Sequence, residues 1–204
     1  METFIRVALA LLCVFISCNA EEHCDCTPEG ILETIQHVLE FRDAWNFLTS
    51  SDTLYLMYLP VNPPIGALQC VISTMSEVAP RFPDVHRWIL YIEATKGLTW
   101  QKKPVKLTMQ NKGSSQSSSS FKTNDFPRFG TEFPVVFVDA RCLIFRILSY
   151  TVDGRTGCAW WVKESAKDSP LWHCKLIFYF FCGVSHRQIY NKDACVELMK
   201  HKNW

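Results

Sequence analysis

The spacing of apolar residues changes along the chain from a helical period to a strand-like period. In residues 27–48, apolar side chains return at steps of three and four, and Thr27-Pro28 is a typical helix start. From residue 53 onward, short apolar or alternating runs are separated by Pro, Gly and Asp-Gly sequences. The pattern therefore predicts one N-terminal helix over residues 27–48, followed by a series of β-strands.

The strand-like runs are short and lie close together in the sequence. Residues 139–141 and Asp153-Gly154 predict hairpin turns, and residues 186–200 predict a short, polar, partly helical tail. The runs themselves cover residues 54–59, 68–75, 88–95, 98–102, 105–110, 133–138, 142–149, 158–163 and 171–182. Short connections favour antiparallel pairing, so the sequence predicts an all-β barrel or sandwich of roughly eight strands.

The N-terminus has the pattern of an export signal. Arg6 precedes the apolar residues 7–17, and Ala20 supplies a small residue at the cleavage position. The apolar run is too short to span a bilayer as a helix. We therefore expect a signal peptide over residues 1–20 and a secreted, extracellular mature chain over residues 21–204 that forms a single domain.

Cysteines are numerous, and an even number of them follows residue 20. In an exported chain, such cysteines are expected to form disulfides, but their number alone does not determine the pairing. Cys24 and Cys26 lie beside His23 and Asp25, but the C-x-C spacing has no matching second pair, so disulfides are favoured over a metal site. The eight cysteines are Cys24, Cys26, Cys70, Cys142, Cys158, Cys174, Cys182 and Cys195.

Charge and motifs argue against several classes of function. The chain has 21 Lys and Arg against 20 Asp and Glu, which gives no electrostatic reason to expect a nucleic acid or a membrane as partner. It contains no G-x-S-x-G, H-E-x-x-H or phosphate-binding loop motif, and its six histidines are scattered. We therefore expect neither an enzyme nor a bound cofactor.

Aromatic residues in the strand-like runs give a more useful indication. In a small barrel, alternate residues point inward, where they fill the interior or line one ligand cavity. Core packing is the better interpretation for any single aromatic residue, but the set as a whole indicates an apolar cavity. The residues are Tyr55, Tyr58, Trp88, Tyr91, Trp100, Phe133, Phe137, Phe145, Trp160 and Trp161.

Several motifs, taken in order, make the chain similar to one protein family. They are Asp43-Ala44-Trp45 on the predicted helix, Cys70 on an early strand, the hairpin before Cys142, the segment Cys158-Ala159-Trp160-Trp161-Val162, the pair Cys174 and Cys182, and the C-terminal Cys195. In this order the motifs resemble those of the tick salivary lipocalins, a group that includes the histamine-binding proteins. The resemblance covers nearly all of residues 21–204.

The resemblance implies a fold and part of a disulfide pattern. It implies an eight-stranded antiparallel barrel of lipocalin type, with an N-terminal helix that closes one end and a short C-terminal helix. It also suggests that Cys70 pairs with Cys195 and that Cys142 pairs with Cys182. The pairing of Cys24, Cys26, Cys158 and Cys174 stays open.

The sequence departs from the family at two positions that matter for function. Members that bind biogenic amines carry an acidic residue directly after the cysteine that matches Cys142, and a second one before the Leu-Trp that matches Trp160-Trp161. This chain has Leu143 and Ala159 there. A buried ammonium needs a carboxylate partner, so the loss of both acids favours an apolar ligand.

The hypothesis is a secreted salivary lipocalin that sequesters a small host mediator, apolar or lipid-derived, such as an eicosanoid or a fatty acid. A lipid carboxylate would need a donor, and Arg141, Arg146 and Lys106 are candidates by strand position. The candidate ligand-binding residues are Asp43, Trp45, Tyr55, Trp88, Tyr91, Glu93, Phe137, Leu143, Phe145, Ala159 and Trp161.

Two other functions remain as alternatives. Asp43 and Glu93 would serve a biogenic amine, histamine or serotonin, if both side chains pointed inward. A host protein such as a complement component could bind surface loops, for which the turn at residues 60–64 and the Ser-rich residues 113–120, predicted as a flexible loop, are candidates. The chain is expected to act as a monomer.

Overall fold

The computed structural model describes residues 42–61, 68–93, 99–111 and 118–200. The predicted signal peptide, the segment with Cys24 and Cys26, and residues 62–64 of the predicted turn lie outside the described residues. Of the predicted helix over residues 27–48, the described part contains α1 (Trp45–Leu48).

Eight antiparallel strands close into a barrel, which confirms the predicted fold class. They are β1 (Leu54–Pro60), β2 (Leu68–Met75), β3 (Asp84–Glu93), β4 (Trp100–Asn111), β5 (Ser118–Lys122), β6 (Glu132–Val138), β7 (Cys142–Val152) and β8 (Arg155–Lys163). Neighbours in sequence pair from β2 to β8, β8 pairs with β1, and β1 returns to β2 through Leu54 opposite Ser73. A short strand, β9 (His186–Gln188), pairs with the end of β1.

The alternation along β3 and β4 determines which residues face the interior. On β4, Val105, Leu107 and Met109 are buried, whereas the intervening Lys106 is exposed. Because successive side chains of a strand point to opposite faces, Lys103 shares the inward face with Val105. The same period thus places one lysine among the apolar wall residues.

Three strand assignments differ from the prediction, and the first concerns β4. The predicted runs 98–102 and 105–110 form one strand, β4, which continues through Pro104. Within the described residues, β5 pairs with β4 only from Thr108 onward. At Pro104, β4 therefore has β3 as a partner on one side and no strand of the described residues on the other, so a residue without a backbone N–H is tolerated there.

The Ser-rich segment is only partly a loop. Residues 113–117 lie outside the described part, but Ser118, Ser119 and Ser120 belong to β5. Ser120 is fully buried, and its Oγ donates to Oε1 of Glu132 on β6 at 3.1 Å. A segment with one apolar residue, Phe121, gives little strand signal, and tertiary packing determines its structure here.

The predicted strand over residues 171–182 is wrong, because this segment forms a helix, α2 (Trp172–Cys182). Its buried residues are Cys174, Phe178, Phe181 and Cys182. These lie at steps of four, three and one, which is the spacing of one helix face. The apolar run has aromatic residues on both sides of the helix, and this masked the helical period.

The helix also explains the disulfide pattern. Cys70 pairs with Cys195, as predicted, and this bond ties α3 (Lys192–Lys200) to β2. The pairing of Cys142 with Cys182 is wrong, because Cys142 pairs with Cys174 and Cys158 pairs with Cys182. A helix rises about 1.5 Å per residue, so α2 places its two cysteines about 12 Å apart, one over β7 and one over β8.

Candidate ligand-binding cavity

The barrel encloses a cavity of about 460 Å³, within the usual size range of small-molecule sites. Its middle is apolar, because inward positions on opposite walls carry large aliphatic and aromatic side chains. These include Leu56, Val71, Ile89, Val105, Leu107, Phe121, Phe133, Leu143, Phe145, Ile147, Ala159 and Trp161. Phe121, Phe133 and Phe145 contact one another, with ring centroids 5.0 to 5.7 Å apart.

Arg87 lines the part of the cavity nearest to α1 and is only 1% exposed. Its guanidinium donates to the backbone carbonyls of Leu48, Ser50 and Asp52 at 2.8 to 3.0 Å. It also donates to the hydroxyl and the carbonyl of Ser73. Burial lowers the pKa of Arg87 to about 10, which leaves the side chain charged at neutral pH. The contacts hold the segment after α1 against β2 and β3.

A second group of polar residues lines the cavity near the segment that joins β5 to β6. Lys103, Thr123, Asp125 and Arg128 belong to it. Lys103 Nζ donates to the backbone carbonyl of Asp125 and lies 4.7 Å from the ring centroid of Phe126. The carboxylate of Asp125 accepts from the backbone N–H of Lys106 at 2.9 Å and from the hydroxyl of Thr123 at 3.1 Å.

Six of the predicted ligand-binding residues line this cavity. They are Tyr91, Glu93, Leu143, Phe145, Ala159 and Trp161. Leu143 and Ala159 are each 1% exposed, so both positions that carry acids in amine-binding members lie inside the barrel wall and are apolar. Glu93 is half-buried at the end of β3.

The N-terminal candidates, Asp43 and Trp45, are placed outside the cavity lining. Asp43 Oδ1 accepts from the backbone N–H of Trp45 at 2.9 Å, an N-terminal contact of α1. The Trp45 ring meets Phe82 edge-on at 5.2 Å.

The three remaining candidates, Tyr55, Trp88 and Phe137, also lie outside the lining. The Tyr55 hydroxyl donates to Glu164 at 3.0 Å, and burial raises its pKa. Trp88 Nε1 donates to Glu77 at 3.2 Å, and the Phe137 ring lies edge-on to His173.

The donors proposed for a lipid carboxylate are not the cations that the fold places in the cavity. Arg141, Arg146 and Lys106 are absent from the described lining, and Lys106 pairs with Asp84 on the outer surface at 3.0 Å. The lining instead contains Arg87, Lys103 and Arg128. The alternation of β4 could have identified Lys103, and Arg87 was missed because the predicted strand began one residue after it.

A cluster of possible metal ligands lies beneath α2, outside this cavity. Asp139, Cys142, His173 and Cys174 bring their ligand atoms within 4.8 Å of one another. The two cysteines are joined in a disulfide, so they offer no thiolate, and only the Asp139–His173 pair, 2.7 Å apart, keeps ligand atoms. The arrangement is therefore a structural contact of α2 with the β6–β7 hairpin.

A closed eight-stranded antiparallel barrel around an apolar cavity defines a ligand-binding protein of lipocalin type. The chain belongs to the tick histamine-binding protein family, whose model matches residues 33–197. No curated protein matches the chain. Both the fold and the family confirm the resemblance found in the sequence.

A solved structure shares this fold. Japanin from Rhipicephalus appendiculatus, in an orthorhombic crystal form bound to cholesterol, matches with a TM-score of 0.54 and 16% identity. The match covers 72% of this chain and 97% of Japanin. Within the described residues, no helix is both long and apolar enough to cross a membrane.

Proposed function

We propose that this protein is a secreted salivary lipocalin that sequesters a small apolar or lipid-derived host mediator, such as an eicosanoid or a fatty acid, inside its barrel. One observation carries the proposal: Leu143 and Ala159 line the cavity and are each 1% exposed. An ammonium beside them would lose its water without gaining a carboxylate, at a cost of several kcal/mol.

The rest of the wall supports the same ligand class. Phe145 and Trp161 are half-buried and line the cavity beside those two positions. They therefore offer partly accessible aromatic surface to a ligand. An apolar chain that covers this surface gains roughly 25 cal/mol per Å² of area removed from water.

Two further observations agree with the proposal. Japanin, which shares the fold, was crystallised with cholesterol, an apolar lipid. The three disulfides formed by Cys70, Cys142, Cys158, Cys174, Cys182 and Cys195 suit an extracellular protein.

Binding of a biogenic amine is the alternative that a specific observation favours. Glu93 lines the cavity and could pair with an ammonium. The second acid that this alternative required, Asp43, accepts from the backbone N–H of Trp45 and does not line the cavity. The described lining also contains Asp125, but its carboxylate already accepts from the N–H of Lys106 and the hydroxyl of Thr123, and neither acid occupies position 143 or 159 on the inner wall.

Isothermal titration calorimetry with arachidonic acid and with histamine tests the proposal. The unmodified protein is expected to bind arachidonic acid 1:1 and to bind histamine at least about tenfold more weakly. The double variant Leu143→Asp with Ala159→Glu is expected to bind histamine more tightly and the lipid more weakly, because it restores two buried acids.

The isosteric variant Leu143→Asn with Ala159→Gln is the matched control, because it adds polarity without charge. It should weaken lipid binding without increasing histamine affinity. Tight histamine binding by the unmodified protein, together with no binding of arachidonic acid, would refute the proposal.

A further inference from the structure

We infer that the Lys103 ammonium binds the acidic group of the ligand, so that the cavity selects lipids with a carboxylate over neutral lipids of the same chain. The inference rests on the proposed function and adds to it the chemical class of the ligand and the residue that recognises this class. No motif in the sequence identified Lys103 as a site residue.

The strand period places Lys103 inside the barrel. It lies on β4 opposite Ile89 of β3, and both residues line the cavity. Its neighbours Lys102 and Pro104 are exposed, and Val105 is buried beside it. A lysine on the inward face of a barrel strand is costly unless its charge has a partner, which gives this position a reason to be functional.

The contacts of Lys103 leave hydrogen-bonding capacity free. Its Nζ donates to the carbonyl of Asp125 and lies over the ring of Phe126. It forms no ion pair with any carboxylate of the described residues. An ammonium carries three donors, so two remain for a ligand. A carboxylate would complete both the hydrogen bonding and the charge balance.

The other cations near the described barrel either make contacts of their own or are exposed to water. Arg87 directs its guanidinium at backbone carbonyls, Ser73 and the sulfur of Met75. Lys106 pairs with Asp84 outside the barrel, and Lys102 lies over the Trp88 ring at 4.2 Å. Arg128 lines the cavity but is exposed, so water screens its charge.

The nearest acidic side chain on the same segment does not neutralise Lys103. The Asp125 carboxylate is held by the N–H of Lys106 and the hydroxyl of Thr123, and only the backbone carbonyl of Asp125 accepts from Lys103. The ammonium therefore faces the cavity with a π-face and one carbonyl as its partners. A fatty acid carboxylate fits this site, and its chain would lie against the apolar wall.

The experiment compares two lipids that differ only in the head group, arachidonic acid and arachidonyl alcohol, by calorimetry at pH 7.4. The unmodified protein is expected to prefer the acid by about tenfold or more. Lys103→Met should lose this preference through weaker binding of the acid, with binding of the alcohol unchanged. Lys103→Arg should retain it, and so should the control Lys106→Met on the outer face.

If Lys103 had only a structural role, Lys103→Met would bind both lipids more weakly by the same factor. Alternatively, the variant would have a lower melting temperature and would still prefer the acid over the alcohol. Either result would overturn the inference, as would equal binding of the two lipids by the unmodified protein. Binding of neither lipid by the unmodified protein would refute the proposed function itself, so the two failures are distinguishable.

Discussion

At the scale of single residues, Arg87 shows that a cation inside a barrel can be structural. It is 1% exposed, and its hydrogen bonds join the carbonyls of Leu48, Ser50 and Asp52 to Ser73. These carbonyls end α1 and lead into β1, so one side chain satisfies several backbone acceptors of a connecting segment. Lys103, on the next strand, has most of its donors free.

Replacement of this side chain tests its structural role. Arg87→Met keeps the apolar stem but leaves the three carbonyls without their donor. We expect the free energy of unfolding to fall by about 3–5 kcal/mol, measured by urea denaturation. The exposed Lys106→Met is the control and should cost about 1 kcal/mol or less. Equal losses for the two variants would contradict the structural role.

At the scale of secondary structure elements, α2 packs against the outside of the barrel, and His186 of β9 contacts both α2 and β8. Its ring lies 4.5 Å from that of Phe178 on α2, and its Nε2 accepts from the backbone N–H of Cys158 at 3.3 Å. Because Nε2 accepts, the folded state holds the neutral ring. Burial lowers the pKa of His186 from 6.5 to about 4, and a hydrogen bond with the Gly183 backbone and the charge of Asp153 oppose this shift only in part.

This packing predicts a pH dependence of stability. Between pH 6.5 and about 4 the unfolded state takes up a proton at residue 186 and the folded state does not. The stabilising contribution is therefore present above pH 6.5 and is lost as the pH falls toward 4. Urea denaturation across this range should show a falling free energy of unfolding.

The variant His186→Gln should show a smaller decrease in the free energy of unfolding over this pH range, because the glutamine can accept from the N–H of Cys158 and does not titrate. An identical pH profile for the protein and for His186→Gln would show that His186 does not contribute.

The elements also show where sequence reasoning succeeds and fails. Alternation and turn signals predicted most of the barrel, and the Asp153-Gly154 hairpin is confirmed by positive φ values at both residues. The α2 segment failed because its exposed face carries Trp172 and Leu176, so both faces of the helix are apolar. The disulfide error had a different source, because the pairing of Cys142 with Cys182 was what the family resemblance implied, and the structure pairs Cys142 with Cys174 instead.

At the scale of the whole molecule, the barrel was predictable because most strands contribute a local signal of their own. The nine predicted runs came close to the eight barrel strands because three errors partly compensated: β5 was missed, α2 was counted as a strand, and β4 was counted as two runs. The cavity was less predictable, because its lining depends on where each strand begins. Arg87 was missed because the predicted strand began one residue after it, and Lys103 was missed because it lay between two predicted runs that form the single strand β4.

The described part of the molecule combines a disulfide-linked wall with a cavity lined mostly by apolar side chains. Three disulfides tie α2 and α3 to the barrel, and the middle of the cavity is lined by aliphatic and aromatic side chains. The charged residues of the described lining are Glu93, Asp125, Arg87, Lys103 and Arg128. This distribution favours a ligand with a long apolar chain and one polar end group.

Native mass spectrometry of the protein with an equimolar mixture of arachidonic acid and histamine tests this account most directly. Both compounds compete for one cavity, and the mass of the complex identifies the occupant. The account predicts a 1:1 complex with the fatty acid and no complex with histamine. A complex that contains histamine and no lipid would contradict it.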